Sequence, residues 1–237
     1  MKFWLNILMK ITLCGCASRT FIELDKIARI AALLSKAGHE VELVSDLCEL
    51  CEDKDEKVHG IAKTTIVACH DRAVKSIMAF AGEDGCRSVD MRSLSADEVM
   101  KQLDVETAVD NEEISFWKEK LAAFHPKQGE DAWYPAIDKD VCAECGKCFE
   151  FCPFGVYEMV DDRVRVVHPH NCKNNCPACA RMCPAGAIIF AKYEKSPING
   201  GQEQEEKTGA AIDTKQMYAE ALREKLKARR RPPLTPP

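Results

Sequence analysis

Short apolar runs and helically spaced apolar residues alternate along the first hundred positions of the chain. Residues 3–13 read as a strand. Thr20–Ala37 carries Phe21, Leu24, Ile27, Ala28, Ala31 and Leu34 on one helical face, and Gly38 stops that helix. Val41–Val44 and Thr64–Ala68 are two further short runs, with an acidic loop after the first. A helix is expected over Asp71–Ala81, then a strand near Arg87–Met91 beyond Gly82 and Gly85. Ser95 and Glu98 stand at capping-box spacing, so a short helix follows. Strand–helix alternation of this kind predicts a small parallel α/β domain over residues 1–104.

The pattern then changes. Residues 105–136 are acidic, hold one expected helix over Asn111–Phe124 ended by His125-Pro126, and read as a connector. Residues 137–193 are cysteine-rich, with strand-like runs that make this second domain α+β. Residues 194–209 are polar and aperiodic, a linker, and Asp213–Arg231 reads as a short helix capped by Asp213 and Gln216. Its basic end, Arg229-Arg230-Arg231, complements the helix dipole.

A length of 237 residues suits one large or two smaller domains, and 46% hydrophobic content suffices for a buried core. The formal net charge is −5, acidic and basic side chains balance over 137–193, and no basic stripe points to nucleic acid. In Met1–Gly15 a lysine precedes an apolar run, and Leu13-Cys14-Gly15-Cys16 imitates a lipoprotein cleavage box. Asn6 and Lys10 interrupt that run, which is too short to span a bilayer. A first strand ending in a cysteine-bearing loop explains the same residues, so a cytoplasmic protein without an integral membrane segment is expected.

Fourteen cysteines sharpen this outline. Eight fall in two groups. One reads C-x2-C-x2-C-x3-C-P through Cys142, Cys145, Cys148, Cys152 and Pro153; the other reads C-x3-C-x2-C-x3-C-P through Cys172, Cys176, Cys179, Cys183 and Pro184. Clustered thiols in a long, charged chain favour metal ligation in a reducing compartment over a disulfide scaffold. Thiolates are the soft ligands that iron–sulfur clusters select, and the work implied is moving electrons. Two four-cysteine zinc sites are the structural alternative.

The groups form an internal repeat, Cys152-Pro-Phe-Gly-Val-Tyr157 paralleling Cys183-Pro-Ala-Gly-Ala-Ile188. This resembles the bacterial two-cluster ferredoxin, in which the fourth cysteine of each group ligates the other cluster. The resemblance implies two [4Fe-4S] clusters, one on Cys142, Cys145, Cys148 and Cys183, the second on Cys172, Cys176, Cys179 and Cys152. Phe149, Phe151, Phe154, Tyr157 and Ile188–Phe190 would give a dry shell. Lys173-Asn174-Asn175 adds one residue to the second group's first spacer, which leaves that cluster's geometry open. Trp133–Asp138 places a short strand ahead of the first ligand.

Cys14, Cys16, Cys48, Cys51, Cys69 and Cys86 lie in the first domain, several just after expected strands. Their order resembles the N-terminal domain of the flavin-bearing subunit of heterodisulfide reductases, a domain with its own iron–sulfur cluster. Matching positions are Cys14, Cys16, Cys48 or Cys51, and Cys69. His70-Asp71 stands where that family has Ser-Pro, and the flavin domain is absent. Three readings stand: a third centre drawn from Cys14, Cys16, Cys48, Cys51 and Cys69; a redox-active Cys48–Cys51 pair; or unligated core cysteines. No G-x-G-x-x-G follows a strand, so no flavin or NAD motif is found.

The expectation is an electron-transfer protein or oxidoreductase subunit with redox partner proteins. A cluster-fed thiol or disulfide reductase, and a binding module with structural clusters, are its rivals.

Overall fold

The structure, a computed structural model, describes residues 8–125 and 131–202. Residues 3–7 of the expected first strand, residues 1–7 of the Met1–Gly15 leader reading and the Asp213–Arg231 helix lie outside them.

Four parallel strands, β1 (Lys10–Cys14), β2 (Glu40–Val44), β3 (Thr65–Ala68) and β4 (Arg87–Asp90), form a sheet in the order β2-β1-β3-β4. Lys10 pairs with Glu40 on one side of β1, and Ile11 with Thr65 on the other. The order therefore reverses between β1 and β3, and in open α/β sheets the crevice beyond the strand ends at such a switch point receives ligands. Ile11, Leu13, Ile66 and Val67 are fully buried, as strands covered on both faces require.

Helices α1 (Leu24–Lys36), α2 (Leu47–Glu52), α3 (Lys57–Ile61), α4 (Asp71–Phe80), α5 (Ala96–Gln102) and α6 (Asn111–Ala122) cover the sheet. Helix α1 packs against α5 and α6, and α2 against α4. The expected acidic loop after β2 is in fact α2 and α3. Asp46 caps α2 by accepting from the amides of Cys48 and Glu49, a start signal masked by the helix's brevity. Helix α6 is no free connector, since Trp117 and Leu121 are buried in the α/β core.

The second half begins with an extended segment whose neighbours face opposite ways. Ala132, Tyr134 and Ala136 join the core of the α/β half, whereas Trp133 and Ile137 pack into the core of the cysteine-rich half. Strand β5 (Ala136–Ile137) pairs antiparallel with β8 (Ile188–Ile189), where Ile188 and Phe190 face one core and Ile189 and Ala191 the other. Period-two alternation thus makes one thin wall serve two cores. Between them lie α7 (Lys147–Phe151), the hairpin β6 (Tyr157–Val160) and β7 (Arg163–Val166), a 3-10 turn at Pro169–Asn171 and α8 (Ala178–Met182). Asp161 and Asp162 both take positive φ, as a two-residue hairpin turn demands.

Residues 194–202, expected as linker, pack down instead. Asn199 is buried, and Gly200 (φ +86°) lies so close to α4 that a Cβ there would stand 2.7 Å from the Ala73 amide nitrogen. Polarity of sequence concealed this, because the segment docks through hydrogen bonds and glycine rather than an apolar stripe. No helix among the described residues is long and apolar enough to cross a membrane.

Candidate metal centres

Gly146 enters α7 in the left-handed conformation (φ +73°), and Cys148 and Cys152 follow on that short helix and its C-cap. Cys179 and Cys183 repeat the arrangement on α8. Four residues of helix advance the chain by about 6 Å, enough to send the two thiols of each helix to different cavities. Cys142, Cys145, Cys148 and Cys183 line one cavity, walled by Ile137, Val164 and Ile188. Cys152, Cys172, Cys176 and Cys179 line the other, beside Pro135, Val156 and Tyr157. These are the two crossed sets of the ferredoxin resemblance.

The donor chemistry suits a multiply charged metal group. Burial pushes the Cys148 thiol up to about 11. Burial, then repulsion from Cys179, Cys176 and Cys152, pushes Cys172 up to about 12. Cys179 rises to about 11 through burial, partly offset by the Tyr157 hydroxyl, which donates to its Sγ at 3.1 Å. Thiols crowded in this way lose their protons together only to a cation that takes their place. The Ala187 amide donates to Cys183 Sγ at 3.3 Å, the kind of bond that tunes a thiolate ligand. The expected dry shell is only partly dry. Tyr157, Ile188 and Phe190 are buried, but Phe149, Phe151 and Phe154 are each at least 40% exposed, on the outer side of their short elements.

The Lys173-Asn174-Asn175 spacer closes a turn, with the Cys176 amide donating to the Lys173 carbonyl at 3.0 Å. Asn175 takes φ +61°, a conformation asparagine tolerates better than most residues. The side-chain oxygens of Asn174 and Asn175 accept from Arg19 Nη2 at 3.2 and 2.8 Å. The added residue therefore serves contact with the α/β half.

A third cavity lies at the switch point. Cys14 ends β1, Cys16 follows in the next loop, Cys48 opens α2 and Cys69 follows β3; all four line one buried cavity with Asp46 and Lys192. Burial and the Asp46 carboxylate push Cys14 and Cys48 up, and Cys69 rises through its hydrogen bond to Cys16 and through burial. Cys16 moves the other way, lowered by the Cys69 hydrogen bond against burial. The Leu47 amide donates to Cys14 Sγ at 3.4 Å. Lys192 enters from beyond β8, with its Nζ 2.9 Å from Asp46 Oδ2; burial opposes its charge, but Cys48 and Asp46 outweigh it. Sequence reading did not find Lys192, because no local pattern separates it from a surface lysine.

Cys51 stays out of this cavity. It is fully buried, its Sγ 3.8 Å from Met78 Sδ, and burial raises its thiol. Of the three readings, a Cys48–Cys51 redox pair would rest on two buried thiols, both pushed up by burial, of which only Cys48 lines the cavity. Cys86 is likewise buried, and its thiol is raised first by burial.

Two crossed four-thiol cavities in a repeated loop–helix frame define an iron–sulfur protein of the dicluster class. Comparison with known proteins agrees. Residues 134–184 match the 4Fe-4S dicluster domain family. An uncharacterized ferredoxin of Methanocaldococcus jannaschii is 42% identical over 71 residues, 30% of this chain and 48% of that protein. Ferredoxin-3 of a Nostoc species is 35% identical over 88 residues, 28% of this chain and 90% of the relative. The formate dehydrogenase iron-sulfur subunit of Haemophilus influenzae is 34% identical over 71 residues, 28% of this chain and 23% of that subunit. The chain belongs to the 4Fe-4S ferredoxin family. It spans about half the length of the Methanocaldococcus relative.

Proposed function

We propose that this chain is an electron-transfer subunit with two [4Fe-4S] clusters in the crossed cavities and a third iron–sulfur centre on Cys14, Cys16, Cys48 and Cys69. The observation that carries the reading is that each crossed cavity draws three thiols from one group and the fourth from the other. When bound, such clusters take up and release single electrons without acid–base chemistry. The protein supplies the thiolates, the N–H and O–H donors at Cys183 and Cys179, and the apolar walls that keep water back.

At the switch point the four cysteines line one cavity, and Lys192 offsets negative charge there. This supports a metal group over unligated core cysteines. Likeness to the formate dehydrogenase iron-sulfur subunit supports a place in an oxidoreductase assembly with a docked redox partner. Cysteines clustered at ligand spacing in a long, charged chain support a reducing, cytoplasmic setting.

Iron and sulfide analysis of anaerobically purified protein tests this reading. About eight irons correspond to the crossed cavities alone and about twelve to a third cubane as well. Reversible bleaching by dithionite is expected of an electron carrier; clusters that never reduce would reassign the chain to a structural binding role.

A second reading rests on the Cys16–Cys69 hydrogen bond, which keeps Cys16 closer to thiolate. These two thiols would form a disulfide by passing two electrons, one at a time, to the clusters of the crossed cavities and releasing two protons to water. An iron count of about eight, with a thiol pair lost on oxidation, would select it.

A further inference from the structure

Resting on the reading that the switch-point cysteines hold a centre, we infer that this centre exchanges electrons with the second crossed site, that of Cys152, Cys172, Cys176 and Cys179, and that Tyr134 and Arg19 are the positioning residues that set their separation. Two bridges link the sites. Tyr134 is buried, and its hydroxyl donates to the backbone carbonyl of Cys48 at 3.0 Å. Its neighbour Pro135 lines the second crossed cavity, so the Tyr134 side chain reaches from beside that wall to the backbone of a switch-point cysteine.

The other bridge is Arg19, three residues beyond Cys16. Its Nη2 holds both asparagines of the loop between Cys172 and Cys176, its Nε donates to Asp131 Oδ2 at 2.6 Å, and its guanidinium lies 5.2 Å from the Trp133 ring centroid. Two cysteine-bearing loops, one from each half, are thereby clasped directly. The added residue in the C-x3-C spacer, a departure from the first group, helps to present those asparagines.

The first crossed site is tied to the α/β half as well. Arg72, three residues beyond Cys69, donates to Asp138 Oδ2 at 2.5 Å and to the Gly186 carbonyl at 2.7 Å. That tie, like the Arg19 clasp, starts three residues from a switch-point cysteine, whereas the Tyr134 bond ends on Cys48 itself. Because electron exchange weakens steeply with distance, the bond that reaches the backbone of Cys48 itself selects the second site. The exchange balances as one electron lost at one centre and gained at the other, with no bond made or broken.

The test uses the full chain, loaded anaerobically and fully reduced, with electron paramagnetic resonance beside iron analysis. Spin–spin broadening of the switch-point signal is expected to vanish in Cys176→Ala and persist in Cys145→Ala; the reverse pattern overturns the assignment. Arg19→Ala touches no cysteine and offers a readout with the iron count unchanged. Weaker broadening supports the clasp, partial recovery is expected in Arg19→Lys, and unchanged broadening overturns the role of Arg19. An iron count of about eight that Cys48→Ala does not lower removes the third centre, and this inference with it.

Discussion

Lys192 and Asp46 come from opposite halves of the chain and bury their charges against each other, Nζ to Oδ2 at 2.9 Å, with side chains only 3% and 2% exposed. An ion pair so deep is held by mutual need rather than by net gain. Removing one partner leaves the other charged and dry, which costs about 3–5 kcal/mol. Lys192→Met is therefore expected to lower unfolding stability by that order in anaerobic urea titrations. Lys192→Met with Asp46→Asn should recover part of the loss, because asparagine keeps a cap for α2 and leaves no bare charge.

Crossed thiols make a prediction that neighbours in sequence would not. Cys152 follows Cys148 by four residues yet lines the cavity of Cys172, Cys176 and Cys179. Cys152→Ser is expected to deplete or convert the cluster of that cavity and spare the one at Cys142, Cys145 and Cys148. Mössbauer and paramagnetic resonance spectra of the variant check this. Loss of the other cluster's signal would sink the crossed ligand set.

Gly200 is held at φ +86° against Ala73. A methyl group there meets backbone, not a yielding side chain, and the left-handed conformation adds to the penalty. Gly200→Ala should destabilise by about 1–3 kcal/mol and release the 194–202 segment to limited proteolysis. Gly82, also at positive φ but with open space around it, should lose less on the same substitution.

Burial works to raise the Asp90 carboxyl, but hydrogen bonds from His70 and Ser93 outweigh it and hold the group below its ordinary value. A depressed carboxyl stabilises the fold above its unfolded pKa, near 4, and that stability is lost as pH falls through the folded value. Asp90→Asn should lower stability at neutral pH and flatten the acid limb of the stability curve. Unfolding midpoints between about pH 3 and pH 7 read this out, and an unchanged limb would reassign it to other carboxylates.

The strands of the α/β half and the ferredoxin groups were legible because each rests on local pattern: β-like runs bounded by breakers, and thiols at fixed spacing. Helix α2 was missed because six residues give periodicity too little room, and its cap, Asp46, reads as part of an acidic loop. Cys51 shows the limit at the site itself. Sequence placed it with Cys48 in a C-x2-C motif, but the two thiols meet different surroundings, Cys48 the cavity and Cys51 the Met78 sulfur. Lys192 and Arg19 were beyond sequence altogether, since their partners lie 146 and 112 residues away or more.

The alternation of Ala132, Trp133, Tyr134, Ala136 and Ile137 between two cores carries a consequence for assembly and damage. A ribosome that has finished the α/β half has not yet supplied its last wall, so that half stays open until the ferredoxin groups emerge. Oxygen that strips iron from a crossed cavity would loosen the same ribbon from its far side. Injury to either half would then be felt as a single event, and repair would have to rebuild both together.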